Sequence, residues 1–165
     1  MIKLCLMPES CLGHNARTFL SRPQWDMIRR WCYRRADYRC EYCGAMKTRM
    51  ECHEEWDFIM TQEHYIQKLV GLKCLCGNCH HATHLGQYGS PLSYTRDWEH
   101  LCEVNGWSEA VAKEVVRLAR REYRKRSEWQ WELDLMWLVA YFGLPSIVIR
   151  HPPYEVEVNF DVKRE

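Results

Sequence analysis

The chain has 165 residues, 47% of them hydrophobic and 13% aromatic, with 23 Lys/Arg against 22 Asp/Glu and a formal net charge of +1. This composition excludes an intrinsically disordered chain and predicts one domain with a real hydrophobic core. The longest apolar run, residues 136–144, is too short to span a membrane, and the apolar stretch at the start is too short for a signal peptide. We therefore expect a cytoplasmic protein with no membrane partner, in which the ten cysteines do not form disulfides.

The near-neutral total charge hides two basic segments. Residues 17–49 contain nine Lys/Arg and three Asp/Glu, and residues 117–126 contain six and one. Such runs are often ordinary solvated helix faces, but they can also neutralise a nucleic-acid backbone. We favour the nucleic-acid interpretation for residues 29–39, because they adjoin a cysteine pair, and the solvated-face interpretation for residues 117–126. The candidate nucleic-acid-binding residues are Arg29, Arg30, Arg34, Arg35 and Arg39.

The first predicted element is a basic amphipathic helix within an N-terminal lead-in, residues 1–39. Ser21 is a typical helix-capping residue, and Pro23 suits a first helical turn. Apolar residues then recur at helical spacing over residues 25–32. The helix is expected to lead straight into the cysteine pair that begins at Cys40.

Two Cys-x-x-Cys pairs stand at the two ends of the predicted core, residues 40–86. They are Cys40/Cys43 and Cys76/Cys79. One such pair could belong to a redox enzyme, but two copies separated by a folded loop predict a structural zinc site with four thiolate ligands. Four unrelated buried cysteines are the alternative.

The segment between the cysteine pairs predicts two strands, and a short helix should follow them. Residues 48–56 and 66–75 are the strand candidates, and the helix is expected over Cys79–Leu85. On that helix His80 and His84 would stand one turn apart on one face, where two imidazoles can bind one divalent cation. Solvated surface histidines are the alternative.

A third histidine lies on the first strand candidate. The alternation of a strand directs His53 and Glu51 to one face and Glu54 to the other. Together with the two helical histidines, these residues would provide a metal and a base. A metal can stabilise charge on a phosphate, and a base can deprotonate a water, so the set would suffice to hydrolyse a phosphodiester.

The remaining chain predicts a helical extension, residues 87–144, and an extended tail, residues 145–165. One helix should end at Asn105–Gly106, and Ser108 should cap the next. Residues 129–138 fit both a strand and a helix. The tail could form an interface or add an edge strand to the sheet.

The segments YRCEYCGA, ECHEEW and LVGLKCLCGNCHHATHLG together resemble the HNH endonuclease family, whose fold is the ββα-metal finger. They are most similar to a bacterial and phage subgroup with an ECHE-x-W element and paired Cys-x-x-Cys knuckles. The similarity extends more weakly over residues 4–143. The resemblance implies an α+β fold, in which a zinc-stabilised ββα-metal (HNH) core carries flanking α-helices.

The resemblance also implies a function for each member of the constellation. The structural zinc ligands would be Cys40, Cys43, Cys76 and Cys79. The ligands of the catalytic metal would be His53, His80 and His84. The catalytic residues would be His53, Glu54 and His80. The catalytic ion would be Mg²⁺, Mn²⁺ or another divalent cation. The expected partner is double-stranded DNA, nicked or cut, and a homodimer would supply two sites for a double-strand cut.

The chain departs from the family pattern in two places. His53–Glu54 stands where two histidines or Asp-His are usual, so either Glu54 is the general base beside a metal-binding His53, or His53 is itself the base. Gly71 stands where the family has an asparagine that braces the loop. The alternative function is therefore an HNH-like zinc module that binds nucleic acid or a protein partner without catalysis. A cysteine redox enzyme is disfavoured, because zinc makes better use of both pairs.

Overall fold

A computed structural model describes residues 1–85, 87, 91–144, 146–151 and 154–159. The chain is mixed α+β, as predicted. A short 3-10 turn, Glu9–Cys11, precedes six helices and five strands in the described residues: α1 Ala16–Phe19, α2 Arg22–Arg35, β1 Met50–Met60, β2 Tyr65–Cys76, α3 Gly77–Thr83, α4 Pro91–Asn105, α5 Glu109–Ser127, β3 Glu132–Asp134, α6 Met136–Phe142, β4 Ser146–His151 and β5 Tyr154–Asn159. Among these residues no helix combines the length and apolarity needed to cross a bilayer.

Helix α2 forms where the capping signals predicted it. The Ser21 side chain accepts a hydrogen bond from the Gln24 amide, and the Gln24 side chain accepts one from the Ser21 amide, which makes a reciprocal capping box. Ile28 and Cys32 are fully buried on the face that packs against the sheet. After the helix ends, Asp37 and Tyr38 both adopt a left-handed φ of +51°, which turns the chain toward Cys40.

Strands β1 and β2 form an antiparallel hairpin, and both are longer than the sequence pattern predicted. Their register pairs Glu51 with Leu75 and His53 with Lys73. No loop separates β2 from α3, because Cys76 is both the last strand residue and the N-cap of the helix. The two strands thus lie between the cysteine pairs, and the helix that follows them carries the second pair. Strand β3 pairs in parallel with the start of β2.

Two main buried clusters hold the elements together. One joins α2, β2 and α6 and includes Ile28, Leu72 and Leu138. The other joins α3, α4 and α5 to the end of β2 and includes Leu75 and Leu101, both with no exposed surface. Fully burying such a side chain contributes roughly 1.5–3 kcal/mol, so both flanks of the hairpin are firmly anchored.

The first residues of the chain lie across α3 and α4, an arrangement that the sequence pattern did not predict. The Ile2 amide donates to Asn105 Oδ1 at 2.6 Å, and Asn105 Nδ2 donates back to the Ile2 carbonyl at 3.0 Å. The Cys5 amide donates to the Thr83 carbonyl at 2.8 Å. The N-terminal segment is therefore part of the folded core and reaches the end of α3.

The helical extension follows the predicted signals. Helix α4 ends at Asn105, Gly106 has a left-handed φ of +64°, and Ser108 caps α5. Residues 129–138 divide between β3 and α6, so both interpretations of that segment apply to part of it. In the part of the tail that the structure describes, strands β4 and β5 pair with each other and not with the sheet of β1, β2 and β3. Gly86, Pro152–Pro153 and residues 160–165 lie outside the described residues.

Candidate metal centres

The four cysteines of the two pairs converge on one point. Their sulfur atoms all lie within 4.8 Å of one another, and Cys43 Sγ is 3.7 Å from Cys76 Sγ. A tetrahedral zinc site with bonds of about 2.3 Å has sulfur–sulfur edges of about 3.8 Å. The cluster therefore fits a metal ion such as zinc.

Two local structures present these sulfurs. Cys40 and Cys43 lie on a turn closed by hydrogen bonds from the Cys40 amide to the Ala45 carbonyl and from the Gly44 amide to the Cys40 carbonyl, each 2.9 Å. Gly44 takes a φ of +75°, which suits a residue without a Cβ. Cys76 and Cys79 lie at the start of α3, where helix amides favour negative charge on a thiolate.

The thiols of the cluster contact one another. A hydrogen bond from Cys79 lowers the pKa of the Cys40 thiol, and the same contact raises the pKa of Cys79. His100 on α4 adds a contact that the sequence pattern did not reveal, since its Nε2 lies 3.2 Å from Cys79 Sγ. An imidazole N–H at that distance can donate to a thiolate and orient it.

The three predicted histidines form a second cluster. The nearest ring nitrogens of His53, His80 and His84 all lie within 4.8 Å of one another. Their ring centroids are 5.3 Å apart for His53–His80 and 5.2 Å apart for the other two pairs. His53 is buried on β1, while the other two are half-buried. Three neutral imidazoles at this spacing can hold one divalent cation and leave further coordination positions open.

Helix α3 differs from the predicted Cys79–Leu85. It begins at Gly77 and ends at Thr83, so His84 is its C-cap rather than a residue of a continuing helix. The His84 amide donates to the His81 carbonyl at 3.0 Å, one residue nearer than in an α-helix, which tightens the last turn. The tightened end still places His84 beside His80.

Two acceptors orient these imidazoles. Glu51 Oε2 lies 2.6 Å from His80 Nδ1, and the Cys5 carbonyl oxygen lies 2.7 Å from His84 Nδ1. Because a carbonyl and a carboxylate can only accept, Nδ1 carries the proton in both rings. In that tautomer Nε2 carries the lone pair that can bind a metal.

The protonation of the cluster suits metal binding. Burial, then the proximity of His84 and His80, lowers the pKa of His53 to about 2. Burial and His80 lower the pKa of His84 to about 4, and burial lowers the pKa of His80 against the opposing effect of Glu51. The three rings are therefore neutral near pH 7, which is the form that ligates a cation.

Glu54 faces away from Glu51 and His53, as the strand alternation predicted. Its Oε1 accepts a hydrogen bond from the Ala16 amide at 2.9 Å, which ties β1 to the start of α1. Burial raises the pKa of the Glu54 carboxyl to about 7, and the amides of Ala16 and Arg17 oppose that rise. The geometry alone leaves both candidates for the general base open.

A large cleft of about 1390 Å³ opens beside the histidine cluster. Its lining includes Glu51, Glu54, His80 and His84, and also residues of α2. The cleft offers a substrate access to the half-buried imidazoles. His81, which follows His80 on α3, is exposed and lies 3.3 Å from Arg96 instead of joining the cluster.

The five predicted nucleic-acid-binding arginines have different surroundings. Arg29 lines the cleft and pairs with Asp26 at 2.7 Å. Arg35 pairs with Glu41 at 2.9 Å and lies over Trp31. The other three, Arg30, Arg34 and Arg39, are exposed and do not line the cleft. Of these five arginines, only Arg29 lines the cleft.

Gly71, which replaces the family's asparagine, lies beside an ion pair. A Cβ built there would be 3.2 Å from Glu55 Oε2, and Glu55 pairs with Lys73 at 3.2 Å. A side chain at position 71 would therefore require Glu55 to move.

The fold and sites define an α+β protein with a four-cysteine cluster fit for zinc and a neighbouring three-histidine cluster. No family model, no curated protein and no solved structure matches the chain.

Proposed function

We propose that the chain is a metal-dependent DNA endonuclease of the HNH type. The observation that carries the proposal is the cluster of three imidazoles, whose nearest ring nitrogens lie within 4.8 Å of one another beside a large cleft. A hairpin and the helix that follows it supply all three rings, and the four-cysteine cluster holds the two ends of that unit. A module that only binds would have no need for three convergent, neutral imidazoles.

In this proposal the two clusters divide the work. The four thiolates hold a structural zinc, with all four ligand positions filled by the protein. His53, His80 and His84 would hold a second divalent ion, which when bound supplies positive charge to a phosphate and to its leaving oxygen. Glu51 and the Cys5 carbonyl keep two of the rings in the metal-binding tautomer.

We also choose between the two assignments for the base, which the geometry alone leaves open. Because the His53 ring lies in the imidazole cluster, we assign it as the third ligand. Glu54 lines the cleft and would accept the proton of the attacking water. Under this assignment His53→Ala lowers metal affinity, whereas Glu54→Gln lowers the rate and leaves metal affinity close to that of the wild type.

Two observations favour the alternative, a zinc module that binds without catalysis. Backbone amides already occupy Oε1 of Glu54, and Gly71 lacks the bracing asparagine side chain. Such a module would retard DNA on a gel in the presence of any metal and leave its strands intact.

Plasmid cleavage separates the two functions. We expect the zinc-loaded protein to relax or linearise supercoiled plasmid with Mg²⁺, Mn²⁺ or another divalent cation. His80→Ala should abolish cleavage, while the adjacent His81→Ala should retain it, because His81 lies outside the cluster. A wild-type protein that stays inert with every metal, yet still retards DNA, would leave only the binding module.

A further inference from the structure

One face of α2 forms part of the wall of the cleft beside the imidazole cluster. The lining residues of that helix are Arg22, Trp25, Asp26, Arg29 and Tyr33. Their spacing of three, one, three and four residues follows a helical face, and at 1.5 Å per residue it extends over about 16 Å. A ligand that fills this length must be elongated.

The carboxylates that line the cleft are already engaged. Asp26 pairs with Arg29 at 2.7 Å, which lowers the pKa of that carboxyl, and Glu51 accepts from His80 at 2.6 Å. Asp97 pairs with Arg96 at 3.1 Å, and Glu54 accepts a hydrogen bond from the Ala16 amide at 2.9 Å. These contacts reduce the repulsion that an anionic ligand would otherwise meet.

Three of the four arginines that line the cleft differ from Arg29, which pairs with Asp26. Arg17, Arg22 and Arg49 all line it and are exposed, and none has an ion-pair partner among the residues that the structure describes. They come from three different places in the sequence: α1, the start of α2 and the residue before β1. The hydrogen bond from the Ala16 amide to Glu54 fixes the helix that carries Arg17 against the strand of His53.

We propose that Arg17, Arg22 and Arg49 bind backbone phosphates of one DNA strand and lead that strand to the imidazole cluster. The proposal rests on the proposed nuclease function and names how its substrate is held. Guanidinium groups bind phosphate oxygens through paired N–H donors, and such contacts position a nucleic acid without reading its sequence. The two predicted arginines Arg30 and Arg34 lie outside the cleft and take no part.

The aromatic residues of the cleft favour contact with the backbone over base stacking. Trp25 and Tyr33 are half-buried and pack against the core cluster of α2. Their rings are therefore committed to the fold, whereas a protein that holds an unpaired strand uses aromatic platforms for its bases. A duplex, held by its phosphates, is the better fit.

Salt dependence of binding tests the proposal. The triple variant Arg17→Gln, Arg22→Gln, Arg49→Gln removes three charges from the cleft. A matched control, Arg30→Gln, Arg34→Gln, Arg121→Gln, removes three from exposed positions outside it. A labelled DNA duplex is titrated by fluorescence polarisation with the zinc-loaded protein, without added divalent cation.

The expected result is a change of slope confined to the cleft variant. Three lost phosphate contacts should reduce the slope of log affinity against log salt by about 2.7. A fourfold rise in salt should therefore reduce the ratio of wild-type affinity to variant affinity about 40-fold. If the triple cleft variant misfolds by circular dichroism, Arg49→Gln alone should lower the slope by about 0.9. Equal slopes in the cleft variant and the control overturn the proposal.

Two further arms separate this proposal from the others. Tighter binding of the same sequence as an RNA duplex would overturn the assignment to DNA. Cleft-dependent binding by a protein that cuts no plasmid would refute the nuclease function and leave the phosphate contacts standing. Plasmid cleavage by a protein whose DNA binding does not depend on the cleft arginines would refute the phosphate contacts and leave the nuclease function standing.

Discussion

Replacement of one zinc ligand should affect the whole fold. Cys40 is 2% exposed, and its turn is joined to the start of α3 through the sulfur cluster. Structural zinc contributes about 10–16 kcal/mol of binding free energy in small domains, and the total stability of a domain is about 5–15 kcal/mol. Cys40→Ser should therefore lose the structural zinc and, with it, the cooperative unfolding of the core.

Cys74→Ser is the matched control, because Cys74 is also buried in β2, with no exposed surface, yet lies outside the cluster. A buried hydroxyl costs about 1–3 kcal/mol, which lowers the melting temperature by about 2–12 °C while leaving the zinc in place. The assay is differential scanning calorimetry with metal analysis, before and after a strong chelator. A Cys40→Ser protein with wild-type zinc content and an unchanged melting temperature would refute the zinc assignment.

Two further substitutions test the contacts around the histidine cluster. Glu51→Gln should weaken metal binding there about 10–100-fold in a calorimetric titration, because it removes the carboxylate that orients His80. Glu55→Gln, on the same strand, should bind the metal as the wild type does. Equal metal affinities in the two variants would refute the orienting role of Glu51. Asn105→Ala should lower the free energy of unfolding in urea by about 1–3 kcal/mol, since two hydrogen bonds to Ile2 are lost. The exposed Asn78→Ala should change it by less than about 0.5 kcal/mol, and an equal loss in both would count against a stabilising role of the Asn105–Ile2 contact.

The sequence predicted the elements whose signals are local. Ser21 with Gln24 closes a capping box within one turn, and Gly106 stops α4 with a left-handed φ. Each signal depends only on neighbouring residues. The predicted end of α3, Leu85, lies two residues beyond the observed end, Thr83. The tightened last turn leaves no trace in the pattern of apolar residues.

The candidate sites show the same contrast between features set by neighbouring residues and features set by distant ones. Cys-x-x-Cys spacing is local, so the four-cysteine cluster could be predicted. The orientation of His84 depends on the Cys5 carbonyl, 79 residues away, and the cysteine cluster gains His100 from another helix. The charge runs singled out Arg30 and Arg34, whereas the cleft selects arginines from separate elements. Such contacts exist only after the chain has folded.

The central claim is that one chain holds two ions with different ligands. Thiolates bind the structural zinc, and imidazoles bind the proposed catalytic ion. X-ray absorption at the zinc edge, on protein loaded with two equivalents of zinc, tests this claim most directly. The account predicts a sulfur shell near 2.3 Å together with a nitrogen shell near 2.0 Å, and the triple variant His53→Ala, His80→Ala, His84→Ala should bind one zinc and keep only the sulfur shell. A wild-type protein that binds one zinc, or a triple variant that retains both shells, would contradict it.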